Sequence, residues 1–460
     1  MIFIFERMPR ILFKNALLVT MNPAREVYRG DLLVEHDRIA ALQPAQVVER
    51  PETSLAGDEQ KPARVIDAEH CALLPGFVQT HIHLCQTLFR NRAEDLSLLD
   101  WLQQKIWPFE AAHDENSMRI SARLGIAELL AGGSTTILDM GSVHHYDAVF
   151  EEAERLGLRL TGGKCMMDSG DNVPPKLRES TYNSLGESAR LLRTWHGAAD
   201  GRLHYAFAPR FALSCSEKLL REVAERAVGE GVMVHTHASE TIQEEALLLQ
   251  QKNLRNIALL HALGIHGPHC CFAHGVHINE QERRMLAQDG TAIAHCPSSN
   301  LKLASGLAPV VELRRAGVKV GLGADGAPCN NNLDMFKEMA LAGMIQKVRL
   351  GPTALAAHEI LEMATIGGAA CLGLEKEIGS LEAGKQADLV LVRLDRLHSA
   401  PAHAGNIYAQ IVYASGAQDV DLTMVAGRIL FERGEFAGLE APRVIAQAEE
   451  ELRRLLLRLD

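Results

Sequence analysis

Pro75-Gly-Phe-Val-Gln-Thr-His-Ile-His83 is apolar for most of its length and stops on two histidines spaced i, i+2. In an extended strand that spacing projects both imidazoles from one face. The same kind of ending recurs. Val232-Met-Val-His-Thr-His237 closes on a histidine and leads into Ala-Ser-Glu240, Cys270-Cys-Phe-Ala-His274 closes on another, and Val318-Lys-Val-Gly-Leu-Gly-Ala-Asp325 closes on an acid. A single ending of this type reads equally well as a hydrogen-bonded core histidine or a turn aspartate. Four in one chain read differently, because core packing would scatter such residues along the strands.

Around these four lie four more apolar runs, giving eight in all: 73–83, 135–140, 159–166, 203–208, 232–237, 270–274, 291–296 and 318–325. Helical periodicity fills the gaps, as at 118–131, 217–228 and 280–287. Eight strand–helix units predict an α/β fold, a (β/α)8 TIM barrel, whose reactive groups sit at the C-terminal strand ends. A doubly wound open sheet is the alternative that counting alone leaves standing. Outside the repeat, 11–42, 387–393 and 423–431 have strand texture. Both chain ends are therefore expected to combine into one small β-sandwich domain. The expected division is 1–73 for its N-terminal part, 74–384 for the barrel, and 385–460 for its C-terminal part plus a terminal helix over 441–460. The Pro-, Glu- and Gln-rich stretch 43–64 reads as an exposed loop.

A hydrophobic content of 47% with 23% charged residues supports a large folded core. The net charge of −11 argues against binding a nucleic-acid backbone. There is no run of about 18 apolar residues, so no membrane span is expected. Nine cysteines without a C-x-x-C pair point to a reducing compartment, and a cytoplasmic location is expected. The opening residues 1–8 lack the form of a secretory signal, and translation could equally start at Met8.

Imidazole and carboxylate ligands at strand ends suit zinc or iron(II), and an incompletely filled coordination sphere lets such an ion activate water. Glu240, three residues past His237, is placed to shuttle protons. His235 lies deeper on the same face and reads as a packing residue. His277 reads as a loop residue, His144 and His145, after a strand end, as either substrate contacts or a solvated loop, and Lys164 leaves open a bridging lysine at the third strand. Other chemistries lack anchors: His113-Asp-Glu115 has no P-C-x-x-C to accompany it, and no G-x-S-x-G or phosphate-cradling glycine motif is present.

Together these motifs resemble the amidohydrolase superfamily over nearly the whole chain. The aminohydrolase branch is resembled through residues 75–83, His237-Ala-Ser-Glu240, Ala294-His-Cys-Pro-Ser-Ser-Asn300, Gly323-Ala-Asp-Gly-Ala-Pro-Cys-Asn-Asn-Asn332 and 379–389. Leu98-Leu-Asp-Trp-Leu102 and Ile106-Trp-Pro-Phe-Glu110 are similar to the deaminases of 5'-deoxyadenosine, 5'-methylthioadenosine and S-adenosylhomocysteine. The resemblance implies one divalent ion, zinc or alternatively iron, held by His81, His83, His237 and Asp325. It implies Glu240 as the residue that protonates the purine ring nitrogen. His274 and Asp325 would orient the attacking water and take its second proton. It also implies substrate contacts from His237 and Glu240, and ribose contacts from Glu110, whose other reading is a solvated helix-end acid. Ala208-Pro-Arg210-Phe-Ala-Leu-Ser-Cys-Ser216 departs from that group and is similar to guanine deaminases, whose matching Arg, with a Gln where Gln86 stands, holds the purine.

The function expected is hydrolytic deamination of a 5'-modified adenosine to its inosine analogue and ammonia. Alternatives are deamination of guanine, 8-oxoguanine or a pterin, hydrolysis of a triazine or amide, and a non-catalytic barrel scaffold. The expected partners are a purine nucleoside or base and further copies of the chain, with neither nucleic acid nor membrane.

Overall fold

The computed structural model describes residues 10–45 and 62–459. The opening residues 1–8, most of the loop expected over 43–64, and Asp460 lie outside the described residues.

Eight parallel staves close into a barrel. In chain order they are Phe77–His83, Ser134–Met140, Arg159–Gly163 with Cys165–Met166, Leu203–Pro209, Met233–Ala238, Cys270–His274, Ala292–His295, and Val320–Leu322 with Asp325–Gly326. Closure is made where the last stave pairs with the first: Leu322 lies opposite Gln79, Asp325 opposite Ile82, and Gly326 opposite His83. That ladder rejects the open doubly wound sheet. The staves are buried on both faces, which is why they read as continuous apolar runs.

Between staves the helices start where the sequence supplies caps. The side chains of Asp114, Ser180, Ser216, Thr241 and Asn279 each accept an N–H from the first turn of the helix that follows. Left-handed glycines at 231 and 290 end two of these helices, and Gly157 ends the helix Asp147–Leu156 in the same way.

Three expected strands are broken: the one over 159–166 parts at Lys164 into Arg159–Gly163 and Cys165–Met166, and the other two part for packing reasons. Residues 71–75 belong to the second sheet, and the chain enters the barrel only at Phe77. The last stave is interrupted at Gly323, where a Cβ would come within 2.6 Å of the His81 carbonyl oxygen. Only glycine lets the chain cross so close to the first stave's backbone.

Among the described residues the second sheet joins nine strands from both ends of the chain. Its alternation decides two cores at once. On Leu389–Arg393, Leu389 and Leu391 face a cluster formed with Phe13, Leu18, Leu32, Val34, Leu73, Leu422 and Met424. Val390 and Val392 face the barrel's cluster instead. A buried ion pair pins the junction, Arg159 donating from Nε (2.8 Å) and Nη2 (3.0 Å) to the two oxygens of Asp388. The terminal helix Ala441–Leu456 lies against the barrel helix Glu115–Ala131, with Asn116 Nδ2 donating to Glu451 Oε2 at 2.6 Å. All nine cysteines are free and buried. No helix among the described residues is long and apolar enough to cross a membrane.

Candidate active site

At the C-terminal mouth of the barrel the four strand endings meet. His81 and His83 reach Asp325 Oδ1 from their Nε2 atoms at 3.2 and 3.4 Å, and His83 Nε2 lies 3.2 Å from His237 Nε2. Ligand atoms of His81, His83 and Asp325 fall within 4.8 Å of one another, as do those of His81, His237 and His274. His81 belongs to both sets and is fully buried.

The outer ring nitrogens show which tautomers are present. His83 Nδ1 donates to the Met140 carbonyl at 2.7 Å and His237 Nδ1 to the Arg210 carbonyl at 2.6 Å. A carbonyl can only accept, so each Nε2 carries a lone pair into the site. His81 reaches the same state through a relay. His235 Nδ1 donates to the Cys271 carbonyl at 2.8 Å, which makes its Nε2 an acceptor for His81 Nδ1–H at 2.7 Å. His235 therefore does more than fill space, the role its depth on the strand predicts. It fixes the proton on its neighbour.

His81 Nε2 is consequently a buried lone pair without a hydrogen-bond donor, facing the Asp325 carboxylate at 3.2 Å. Two acceptors opposed in a dry cavity are unfavourable unless a cation lies between them. Three imidazole nitrogens and one carboxylate are a donor set suited to zinc or iron(II). Burial keeps the rings neutral, lowering His81 to about 4, His83 to about 3, and His237 well below its ordinary value.

Glu240 and His274 stand beside this cluster. His274 Nε2 is 3.4 Å from Glu240 Oε2 and 3.9 Å from Asp325 Oδ2, and its Nδ1 is 2.9 Å from Asn300 Oδ1. Glu240 is 3% exposed, and burial raises its carboxyl. Ser305 Oγ donates to its Oε1 at 3.0 Å, and its backbone N–H donates to Glu244 Oε2 at 2.8 Å. The chain turns sharply here: Ser239, His274 and Asp325 adopt φ of +53°, +74° and +61°. Non-glycine residues reach that region at a cost that functional sites tolerate.

Gln86, Glu110 and Arg210 form one buried cluster. Arg210 Nη1 donates to Glu110 Oε2 at 2.6 Å and Nη2 to Oε1 at 3.2 Å, while Gln86 Nε2 donates to Oε1 at 2.9 Å. Glu110 is thus not the solvated helix-end acid of its alternative reading. It follows a π-type turn over Leu102–Ile106 inside the helical stretch that starts at Leu98, a local distortion common near functional sites. Gly326 leaves room for Gln86, whose Oε1 would sit 2.1 Å from any Cβ there.

Other candidates fall elsewhere. Lys164 is spent on Glu179 at 2.5 Å, which removes the bridging-lysine option. His144 is exposed and donates to the Lys176 carbonyl at 2.7 Å. His277 donates to the Ser305 carbonyl at 2.7 Å and so supports the residue that holds Glu240. Sequence reasoning passed over Asn300, Ser305 and Glu244. Asn300 lies in the Ala294–Asn300 motif; Ser305 is in a loop without periodicity, and Glu244, in the first turn of the helix Ile242–Lys252, has the pattern of an ordinary helix-start acid.

A family model described as the amidohydrolase family matches residues 72–430. The chain is similar to a 5-methylthioadenosine/S-adenosylhomocysteine deaminase of Moorella thermoacetica, 37% identical over 97% of this chain and 100% of that protein. It is similar to a 5'-deoxyadenosine deaminase of Methanothermobacter thermautotrophicus, 39% identical over 92% and 94% of the two chains. Among solved structures, an adenosine deaminase from Xanthomonas campestris with bound zinc superposes with a TM-score of 0.89, at 33% identity over 97% and 98% of the two chains.

Proposed function

The chain belongs to the amidohydrolase family, and from that membership we propose a metal-dependent deaminase of 5'-modified adenosines: 5'-deoxyadenosine, 5'-methylthioadenosine or S-adenosylhomocysteine. The observation that carries the chemistry is the opposed pair of His81 Nε2 and Asp325 beside Glu240, a buried carboxyl whose pKa burial raises. His81, His83, His237 and Asp325 would hold one ion, for which zinc is proposed. When bound, such an ion lowers the pKa of a water toward neutrality and makes it nucleophilic.

The protein's own groups handle the rest. Glu240, whose burial favours its protonated form, passes a proton to a ring nitrogen of the adenine. His274 and Asp325 orient the attacking water and receive its second proton. As the C6–O bond forms, the water's first proton restores Glu240 and the second, held by His274 and Asp325, passes to the amino group, so the C6–N bond breaks with loss of ammonia and the inosine analogue remains.

The Glu110 cluster supports a nucleoside over a free base. In a guanine-type reading Arg210 and Gln86 would present their donors to the purine, yet here both donate to Glu110. A carboxylate held by three donors and buried is organised to accept further hydroxyl hydrogen bonds, as ribose would offer.

The test is an ammonia-release screen over adenosine, 5'-deoxyadenosine, 5'-methylthioadenosine, S-adenosylhomocysteine, guanine and 8-oxoguanine. Turnover of the 5'-modified adenosines supports the proposal. Turnover of guanine alone reverses the ranking, and a chain that releases no ammonia and holds no stoichiometric metal is a scaffold. Glu110→Gln should cost nucleoside turnover about 10- to 100-fold, equivalent to one lost charge-assisted hydrogen bond. Equal losses on nucleoside and free base would remove Glu110 from the ribose site.

A further inference from the structure

A second constellation of metal-ligand side chains lies at the opposite end of the barrel. His261 ends the helix Asn256–Ala262, His266 lies in the loop that feeds the stave Cys270–His274, and Asp289 ends the helix Glu280–Asp289 that precedes the next stave. Active-site groups of such a barrel gather where staves end, whereas these three gather where staves begin. His261 Nε2 is 3.4 Å from Asp289 Oδ2, and His266 Nδ1 is 3.6 Å from Oδ1. One ligand atom from each of the three lies within 4.8 Å of the others. The two imidazoles stack, with centroids 4.2 Å apart and planes at 26°.

Three observations distinguish this group from an ordinary surface ion pair. The first is electrostatic. Asp289 sits at a helix C-terminus, where the macrodipole disfavours a carboxylate, and the helix carrying His261 ends at the same place. Among the described residues its ion-pair partners are the two imidazoles alone, with no Lys or Arg. Two helix C-termini and one carboxylate converge on a point that favours a cation.

The second is that the backbone holding the ligands is fixed. Ile265, between the two histidines, is buried, and its N–H donates to the Leu260 carbonyl at 2.9 Å. Gly267 N–H donates to Thr291 Oγ1 at 2.8 Å, which ties the histidine loop to the loop behind Asp289. The third is access. The histidine side chains are 41% and 38% exposed, so an ion can enter and water can complete its sphere, while the Asp289 side chain is held at 19%.

We propose that His261, His266 and Asp289 form a second divalent-metal site, for zinc, that clips two adjacent helix-to-strand loops at the end of the barrel remote from the candidate active site. Two imidazoles and a carboxylate leave a fourth tetrahedral position for water. At zinc–ligand distances of about 2.0–2.1 Å, tetrahedral ligands stand roughly 3.3–3.4 Å apart. The observed 3.4 and 3.6 Å contacts, made to the two different oxygens of Asp289, are close to that separation, and the ligand atoms of the two histidines lie within 4.8 Å of each other.

The experiment is equilibrium dialysis of the full-length protein against buffered micromolar free zinc, with zinc per chain measured by elemental analysis. Wild type should carry one zinc more than His261→Ala/His266→Ala. Asp289→Asn, which keeps the volume of the carboxylate, should lose the same equivalent. Circular dichroism identifies any variant that has not folded, and His261→Gln then replaces it. Zinc should also raise the Tm of wild type more than that of the double variant. Equal zinc content in wild type and all folded variants overturns the site. So does an extra equivalent that appears only at millimolar zinc, since that marks adventitious surface binding. The inference does not rest on the proposed deaminase activity: the difference is read with the strand-end cluster intact in every protein, whether or not ammonia is released.

Discussion

Replacing His235 tests whether the relay behind His81 matters to the metal cluster. In His235→Leu the side chain keeps similar bulk but presents no acceptor. His81 Nδ1–H loses its 2.7 Å partner and the Cys271 carbonyl loses its 2.8 Å donor. Two consequences follow. Each buried group left unpaired costs about 1–3 kcal/mol of stability. His81 is also no longer held in the tautomer that points a lone pair at Asp325. Loss of such an outer hydrogen bond to a ligating histidine weakens metal binding about 10- to 100-fold, roughly 1.4–2.7 kcal/mol. His235→Gln restores an acceptor near the position of Nε2 and should recover most of the affinity, although the Cys271 carbonyl remains unpaired. The assay is competition for zinc between the metal-free protein and a chromophoric chelator, with Tm measured in parallel so that folding and affinity are read separately. If folded His235→Leu binds zinc as tightly as wild type, or if His235→Gln is no better than His235→Leu, the relay is packing after all.

Three further outcomes are expected. Glu240→Gln preserves the shape and the Ser305 hydrogen bond but removes the transferable proton; kcat for ammonia release should fall about 10²- to 10⁴-fold with zinc content unchanged, and a smaller loss would assign the proton transfer elsewhere. Chelation should abolish turnover and lower Tm, with both restored by zinc; at free zinc a thousandfold above Kd the bound ion contributes about 4 kcal/mol, and full activity after metal removal would sink the proposed chemistry. Glu338, raised by burial to about 7, keeps a proton that the unfolded chain gives up near pH 4. Stability therefore falls as pH rises between those values, by at most about 3–4 kcal/mol, and Glu338→Gln should flatten Tm against pH in that window; an unchanged slope would show that Glu338 is ionised throughout.

The strand endings were legible because they combine two independent signals, an apolar run and a ligand residue at its end. His81, His83, His237, His274 and Asp325 all carry both, and the structure gathers all of them at one mouth of the barrel. The limits of the staves were less legible. Residues 71–83 form one apolar run because two sheets consecutively bury it, and nothing in hydrophobicity marks the crossing at Gly76. The hairpin between Val27–Glu35 and Arg38–Pro44 was hidden for a related reason: its turn at His36, with φ of +58°, lacks the glycine that usually announces one. Hydrogen-bond partners were the least legible of all. His235 and His237 are equivalent by pattern, yet one meets a carbonyl and an imidazole while the other meets a carbonyl and the site.

Arg210 shows why residue identity alone left the substrate open. A free guanidinium at that position would favour a purine carrying a carbonyl, and the sequence offers no means of telling a free guanidinium from a committed one. The commitment is made by Glu110, 100 positions earlier in the chain, on a helical stretch whose π-type turn carries it toward the barrel mouth. Once the two meet, removing either leaves the other as an unpaired buried charge, which costs far more than an exposed pair would. Charge pairing thus converts Arg210 from a candidate reader of the base into a support for Glu110, the carboxylate proposed to meet the sugar. The order of effects is testable within this pair. Arg210→Met should impair nucleoside turnover through Glu110, and Arg210→Met/Glu110→Gln should be no worse than Glu110→Gln alone. Strictly additive losses would mean that Arg210 touches the substrate itself.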